Sequence, residues 1–170
     1  QAMELGFTVW GDYGLGVYNS QSLKELKRLG FAGCTASFEL KLAQIRDLSK
    51  AVPMELIAYG RLPLMITENC IVYNHAGQHV CGDGLRLVDR KGARFPVVKA
   101  WGCRNEILNA KTLFLADKAA DYARLGLWGA RLMFTTESPE DCVRILRRYQ
   151  GQRGWQPGDY TRGLYYRDVE

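Results

Sequence analysis

Five cysteines, Cys34, Cys70, Cys81, Cys103 and Cys142, are the residues of this chain with the most chemistry to offer. The count is odd, and the first residues lack the basic and apolar regions of a signal peptide. Disulfides are therefore a poor expectation, and metal binding or burial a better one. From Cys70 onward the separations are 11, 22 and 39 residues, with no Cys-x-x-Cys, so the spacing of a zinc ribbon is absent. Placement says more than spacing. Cys70 follows a predicted strand, Cys81 lies in a Gly-rich loop, Cys103 follows a predicted hairpin, and Cys142 falls in the first turn of a predicted helix. There the helix dipole favours a thiolate. Four thiolates suit zinc or an iron-sulfur cluster, whereas burial as small hydrophobes is the plain alternative. Cys34, inside an apolar run, is assigned to the core. His75 and His79 could replace a thiolate on zinc, with an exposed loop as the simpler reading.

Other chemistry is thin. The sequence holds no Gly-x-Ser-x-Gly, no His-Glu-x-x-His and no P-loop, and the glycines of GDYGLG precede a predicted strand, so they are not a dinucleotide fingerprint. Glu39, Glu55 and Glu68 are candidates for acid-base work, against a solvated or capping role. At 170 residues, 47% hydrophobic and 24% charged, the chain reads as one globular domain. No apolar run is long enough to cross a bilayer, which gives the expectation of a cytoplasmic protein. The net charge of +5 and the group Arg144, Arg147, Arg148 and Arg153 permit an RNA or phosphate partner, although a solvated helix face is the default reading for such residues. Gln1 at the start, with Met3 after it, suggests a processed chain or one cut from something longer.

The elements that must position these residues alternate. Gly14 to Asn19 reads as a strand; a helix follows with Ser20 as its cap, Leu23, Leu26 and Leu29 on one face, and Gly30 as its stop. Phe31 to Ser37 reads as a second strand. The helix after it takes Ser37 as N-cap and Leu42, Ile45 and Leu48 as its apolar face. A third strand, Met54 to Gly60, continues into RLPLMITENC. Strands separated by helices imply parallel pairing with right-handed crossovers, and functional groups gather at the carboxyl ends of such strands. Further on, LRLVDRKGARFPVVKA reads as a hairpin with Asp89 and Gly92 at its turn. Asp117 to Gly126 reads as a helix, GARLMFTTES as a strand, and SPEDCVRILRRYQ as a helix capped by Ser138 with Pro139 at its first position. The tail GWQPGDYTRGLYYRDVE has no periodicity.

YGRLPLMITENC, Tyr59 to Cys70, resembles the signature of the U32 peptidase family, the collagenase-like proteins. The order downstream is similar too: a Cys in a Gly-rich loop, DRKGARFPV, Cys103 to Glu106, LFLAD, and RLMFTTESPEDCVRILRRY. The resemblance implies an α/β fold, the C-terminal part of a (β/α) TIM-like barrel. Residues 1–70 would be its last strand-helix units, and residues 71–170 the cysteine-bearing hairpin region with a terminal strand and helix. A complete barrel takes about eight strands and roughly 200 residues or more, so the first half would be missing. A homodimer through the uncovered half-barrel edge is the corresponding expectation. The family is named for protease activity towards collagen, while relatives hydroxylate RNA bases or the ubiquinone ring. Carried onto this chain, the ligands of a four-iron four-sulfur cluster fall on Cys70, Cys81, Cys103 and Cys142, and Asn19, Ser37, Glu39, Arg61 and Glu68 line the substrate pocket. The expected substrate is RNA, a small aromatic or a peptide. The alternatives are a metal-assisted protease using Glu68, or a zinc-stapled module without catalysis.

Overall fold

Met54–Gly60, the sequence MELIAYG, is buried at every position, as a strand covered on both faces must be. In the computed structural model, which describes residues 1–78 and 84–167, it is the third strand, β3, of a mixed α/β arrangement. β1 (Trp10–Gly11) pairs in parallel with β2 (Gly33–Thr35), β2 with β3, and β3 with the later strand β9 (Gly129–Met133). Helices α1 (Ser20–Arg28) and α2 (Leu42–Asp47) fill the first two crossovers. They bury Leu23 and Leu26, and Leu42 and Ile45, respectively. β8 (Thr112–Phe114) adds antiparallel to the end of β3, and β10 (Tyr160–Thr161) follows it in the same sheet. α4 (Ala119–Ala123) precedes β9, and α5 (Pro139–Tyr149) follows it. No helix among the described residues is long and apolar enough to cross a membrane.

The chain divides into two units. The first holds Gln1–Gly60, Leu113–Gln156 and the segment from Thr161; the second holds Arg61–Thr112 and Pro157–Tyr160. The second unit is an antiparallel sheet in the order β4-β7-β6-β5: β4 (Pro63–Thr67), β5 (Arg86–Val88), β6 (Arg94–Lys99) and β7 (Asn105–Leu108). Its β5–β6 connection is the expected hairpin. The Asp89 Oδ1 accepts from the amides of Lys91 and Ala93, both at 2.8 Å, and Gly92 sits at φ +81°.

Several elements differ from the sequence reading. Gly14 to Asn19 is not a strand. Asp12 caps a 3-10 turn at Tyr13–Leu15, which Gly16 closes in the left-handed region, and the first strand lies upstream at Trp10–Gly11. α1 takes Asn19, not Ser20, as its cap, and Gly30 follows its end at φ +85°. α2 begins at Leu42 because Phe38 to Leu40 make a turn, and the Ser37 hydroxyl accepts from the Glu39 amide at 3.3 Å instead of capping a helix. RLPLMITENC does not prolong β3, since the chain leaves that sheet after Gly60 and pairs β4 with β7. A helix not foreseen, α3 (Ile71–Ala76), follows Cys70.

Gly60 is where the chain leaves the first sheet, and its backbone requires glycine. Its φ is +134°, and a Cβ there would come 2.3 Å from the carbonyl oxygen of Met133. Gly60→Ala is expected to destabilise the chain by about 1–3 kcal/mol, read as a lower urea midpoint. A midpoint equal to wild type would contradict this reading of the turn.

Candidate functional site

The corner at one end of the β4–β7 ladder, within the second unit, carries two of the predicted ligands. Thr67 pairs with Asn105, and the Arg104 guanidinium reaches the Glu68 carboxylate at 2.9 Å through Nη2 and 3.0 Å through Nε. Two residues beyond Glu68 stands Cys70. Its buried Sγ accepts from the Tyr73 amide at 3.4 Å, so sulfur stands where Ser or Asp would ordinarily cap a helix. One residue before Arg104 stands Cys103, at φ +64° directly after Gly102 at +71°. Among the described residues Cys103 is the one non-glycine in the left-handed region. Such strain persists where the surroundings impose it and clusters at functional sites.

Asn105 ties this corner together. Its side chain is buried, and its Oδ1 accepts from the Ile71 amide at 2.7 Å, which fixes the start of α3 against β7. Its Nδ2 is buried with no hydrogen-bond partner among the described residues. A buried amide N–H left unpaired costs free energy, so this donor marks a place where an acceptor belongs. Thiolate or sulfide sulfur beside Cys70 and Cys103 is such an acceptor.

The remaining predicted ligands are placed differently. Cys81 and His79 lie outside the described residues. Cys142 belongs to the first unit, in the first turn of α5 after Ser138, whose hydroxyl accepts from the Asp141 amide at 3.1 Å. Cys34 is a core thiol, as expected; burial, with a smaller push from the Glu55 carboxylate, raises its pKa to about 11. Among the described residues no group of three or more His, Cys, Asp or Glu is gathered as a metal shell.

The expected pocket residues are all engaged with protein groups. Asn19 Oδ1 accepts from the amides of Gln21 and Ser22 as the cap of α1. Arg61 donates to the carbonyls of Asn109 and Ala110, bracing the turn after β7 within the second unit. Glu39 accepts from the Tyr18 hydroxyl, whose pKa that bond raises. Ser37 is buried, and Glu68 is held by Arg104.

A second polar cluster was not anticipated. Each of the four parallel strands, or the residue just after it, contributes one group to a single network in the first unit. Arg131 from β9 reaches Glu55 of β3 at 2.6 Å through Nε and Asp12, after β1, at 2.7 Å through Nη1. The Thr35 hydroxyl of β2 donates to the Glu55 carboxylate at 2.8 Å. The signal was available in the sequence, since each of the runs GCT, MEL and GARLM places one polar residue inside an otherwise apolar strand. Arg131 itself is partly exposed, so the network reaches solvent through it and Asp12. It can hold charge at fixed positions on the face of the sheet. Compared with protein-family models, with curated proteins and with solved structures, the chain matches none.

Proposed function

We propose that this chain is a U32-type protein whose cysteine corner holds a four-iron four-sulfur cluster, and whose activity is hydroxylation of RNA or a small aromatic substrate. The observation that carries the reading is the buried, unpartnered Nδ2 of Asn105, whose Oδ1 holds the residue after Cys70 and which itself stands two residues after Cys103. Donors of this kind around the sulfurs set the reduction potential of a cluster. Cys70 and Cys103, both in the second unit, would supply two of the thiolates, and the family resemblance adds Cys81. When bound, the cluster would supply one-electron chemistry. The chain's own residues would orient it: Asn105 fixes the residue after Cys70 through the Ile71 amide, and successive left-handed residues at Gly102 and Cys103 turn the chain where the second thiolate stands. The four parallel strands with their crossover helices would then be the closing half of a (β/α) barrel. In that setting the Asp12, Thr35, Glu55 and Arg131 network would line the face towards substrate.

Cys103→Ser tests the ligand set. Anaerobic reconstitution of the variant is expected to yield less than half the iron per chain of wild type, with its far-ultraviolet circular dichroism unchanged. Full iron loading in this variant would remove Cys103 from the site.

A further inference from the structure

We propose that a cavity between α5 and the segment that follows it is a phosphate-binding site. It has a volume of about 240 Å³, and its lining includes Glu140, Arg144, Arg147, Arg148, Arg153 and Trp155, all in the first unit. Arg148 shapes it, donating from Nε to the carbonyl of Trp155 at 3.0 Å and from Nη1 to that of Gln152 at 3.4 Å. These bonds fold the segment beyond α5 back along the helix and bring Arg153 and Trp155 to its side. Arg144 is ion-paired with Asp141 and lies over the Trp155 ring, 5.0 Å from its centroid. Arg147 and Arg153 have no hydrogen-bonded or ion-paired partner for their guanidinium groups among the described residues. Glu140 is the one carboxylate in the lining, against four guanidinium groups.

Arginines in the last turn complement the helix dipole, and this accounts for Arg147 and Arg148. It does not account for Arg153, which lies beyond the helix end, or for a cavity between the two segments. Planar guanidinium forks match the oxygens of phosphate, and the volume is below that of ordinary drug-sized pockets. Trp155 is engaged by Arg144 and meets Phe114 edge-on at 6.1 Å, so recognition falls to the phosphate and not to a stacked base. The phosphate could belong to a small ester or to the backbone of RNA. The proposal does not depend on the metal.

Isothermal titration of the full chain at about 0.15 M salt, with pyrophosphate and separately with a single-stranded RNA of about ten nucleotides, tests this. The comparison is the double variant Arg147→Gln, Arg153→Gln, whose groups brace nothing, with matched thermal melts as a control. Pyrophosphate is expected to bind wild type and to lose about tenfold in affinity for each guanidinium removed. Tighter binding of RNA, with the same loss in the variant and a shallower salt dependence, would identify an RNA backbone as the source; RNA binding no tighter than pyrophosphate would identify small esters. Absence of pyrophosphate binding, or equal affinity in wild type and variant, would overturn the proposal.

Discussion

Arg131→Met is expected to destabilise the chain by about 3 kcal/mol, because it leaves the Glu55 carboxylate in the sheet interior with only the Thr35 hydroxyl as partner. Removing one member of a buried pair costs about 3–5 kcal/mol, and the partial exposure of Arg131 places this case at the low end. The cost lies in the uncompensated charge and not in the pair itself. Arg131→Met combined with Glu55→Leu should therefore recover most of the loss, giving a coupling of about 2 kcal/mol between the two positions. Urea unfolding of wild type, both single variants and the double variant measures this. A single Arg131→Met variant within about 0.5 kcal/mol of wild type would show that the network does not carry the charge of Glu55.

Asn105→Ala is expected to act on both the fold and the metal. Loss of Oδ1 leaves the Ile71 amide without its acceptor, at a cost of about 1–3 kcal/mol, and frees the start of α3 from β7. Cys70 begins that helix and would lose its fixed position. Removing Nδ2 also takes away the donor proposed to face sulfur, and changes of this kind next to a metal site typically cost about 10–100-fold in affinity. The effect separates from that of a purely structural asparagine: Asn105→Gln, which keeps both amide groups at a longer reach, should recover stability more fully than it recovers metal affinity. Competition with a chelator, followed alongside the unfolding curves, reads the two effects independently. Metal affinity that tracks stability in both variants would assign Asn105 to the fold alone.

The elements legible in the sequence were those whose pattern and punctuation agreed. α1, β3, the β5–β6 hairpin and α5 each combine a regular apolar pattern with a cap, a turn residue or a glycine stop, and each stands close to where the sequence put it. Elements set by tertiary contacts were not legible. β4 continues the hydrophobic run of β3, so nothing local shows that Gly60 turns the chain into another sheet; the reason lies in Met133, 73 residues further on. α3 is short and capped by sulfur, outside the usual capping residues. The aperiodic tail is ordered by single side chains. The register of β3 against β9 shifts between Ile57 and Tyr59, and two tyrosines take up carbonyls there: Tyr165 donates to Ile57 at 2.9 Å and Tyr149 to Ala58 at 2.7 Å. Burial holds both phenols protonated.

The candidate site divides the same way. Cysteine placement beside turns and helix starts pointed to Cys70 and Cys103, and the fold sets both at one end of the β4–β7 ladder. Thr35, Glu55 and Arg131 stand out in the sequence as single polar residues in apolar runs, but their partners, and the roles of Asp12 and Asn105, follow only from the elements that fold beside them. Arg61 and Asn19, attractive at strand ends, are taken up by backbone groups.

An iron-sulfur cluster on the cysteines is the proposed cofactor. Iron, zinc and acid-labile sulfide, determined together on the full chain purified without oxygen, test it most directly. About four iron and four sulfide per chain, in a coloured protein that bleaches in air, is the predicted result. A colourless chain with about one zinc and no labile sulfide would contradict it.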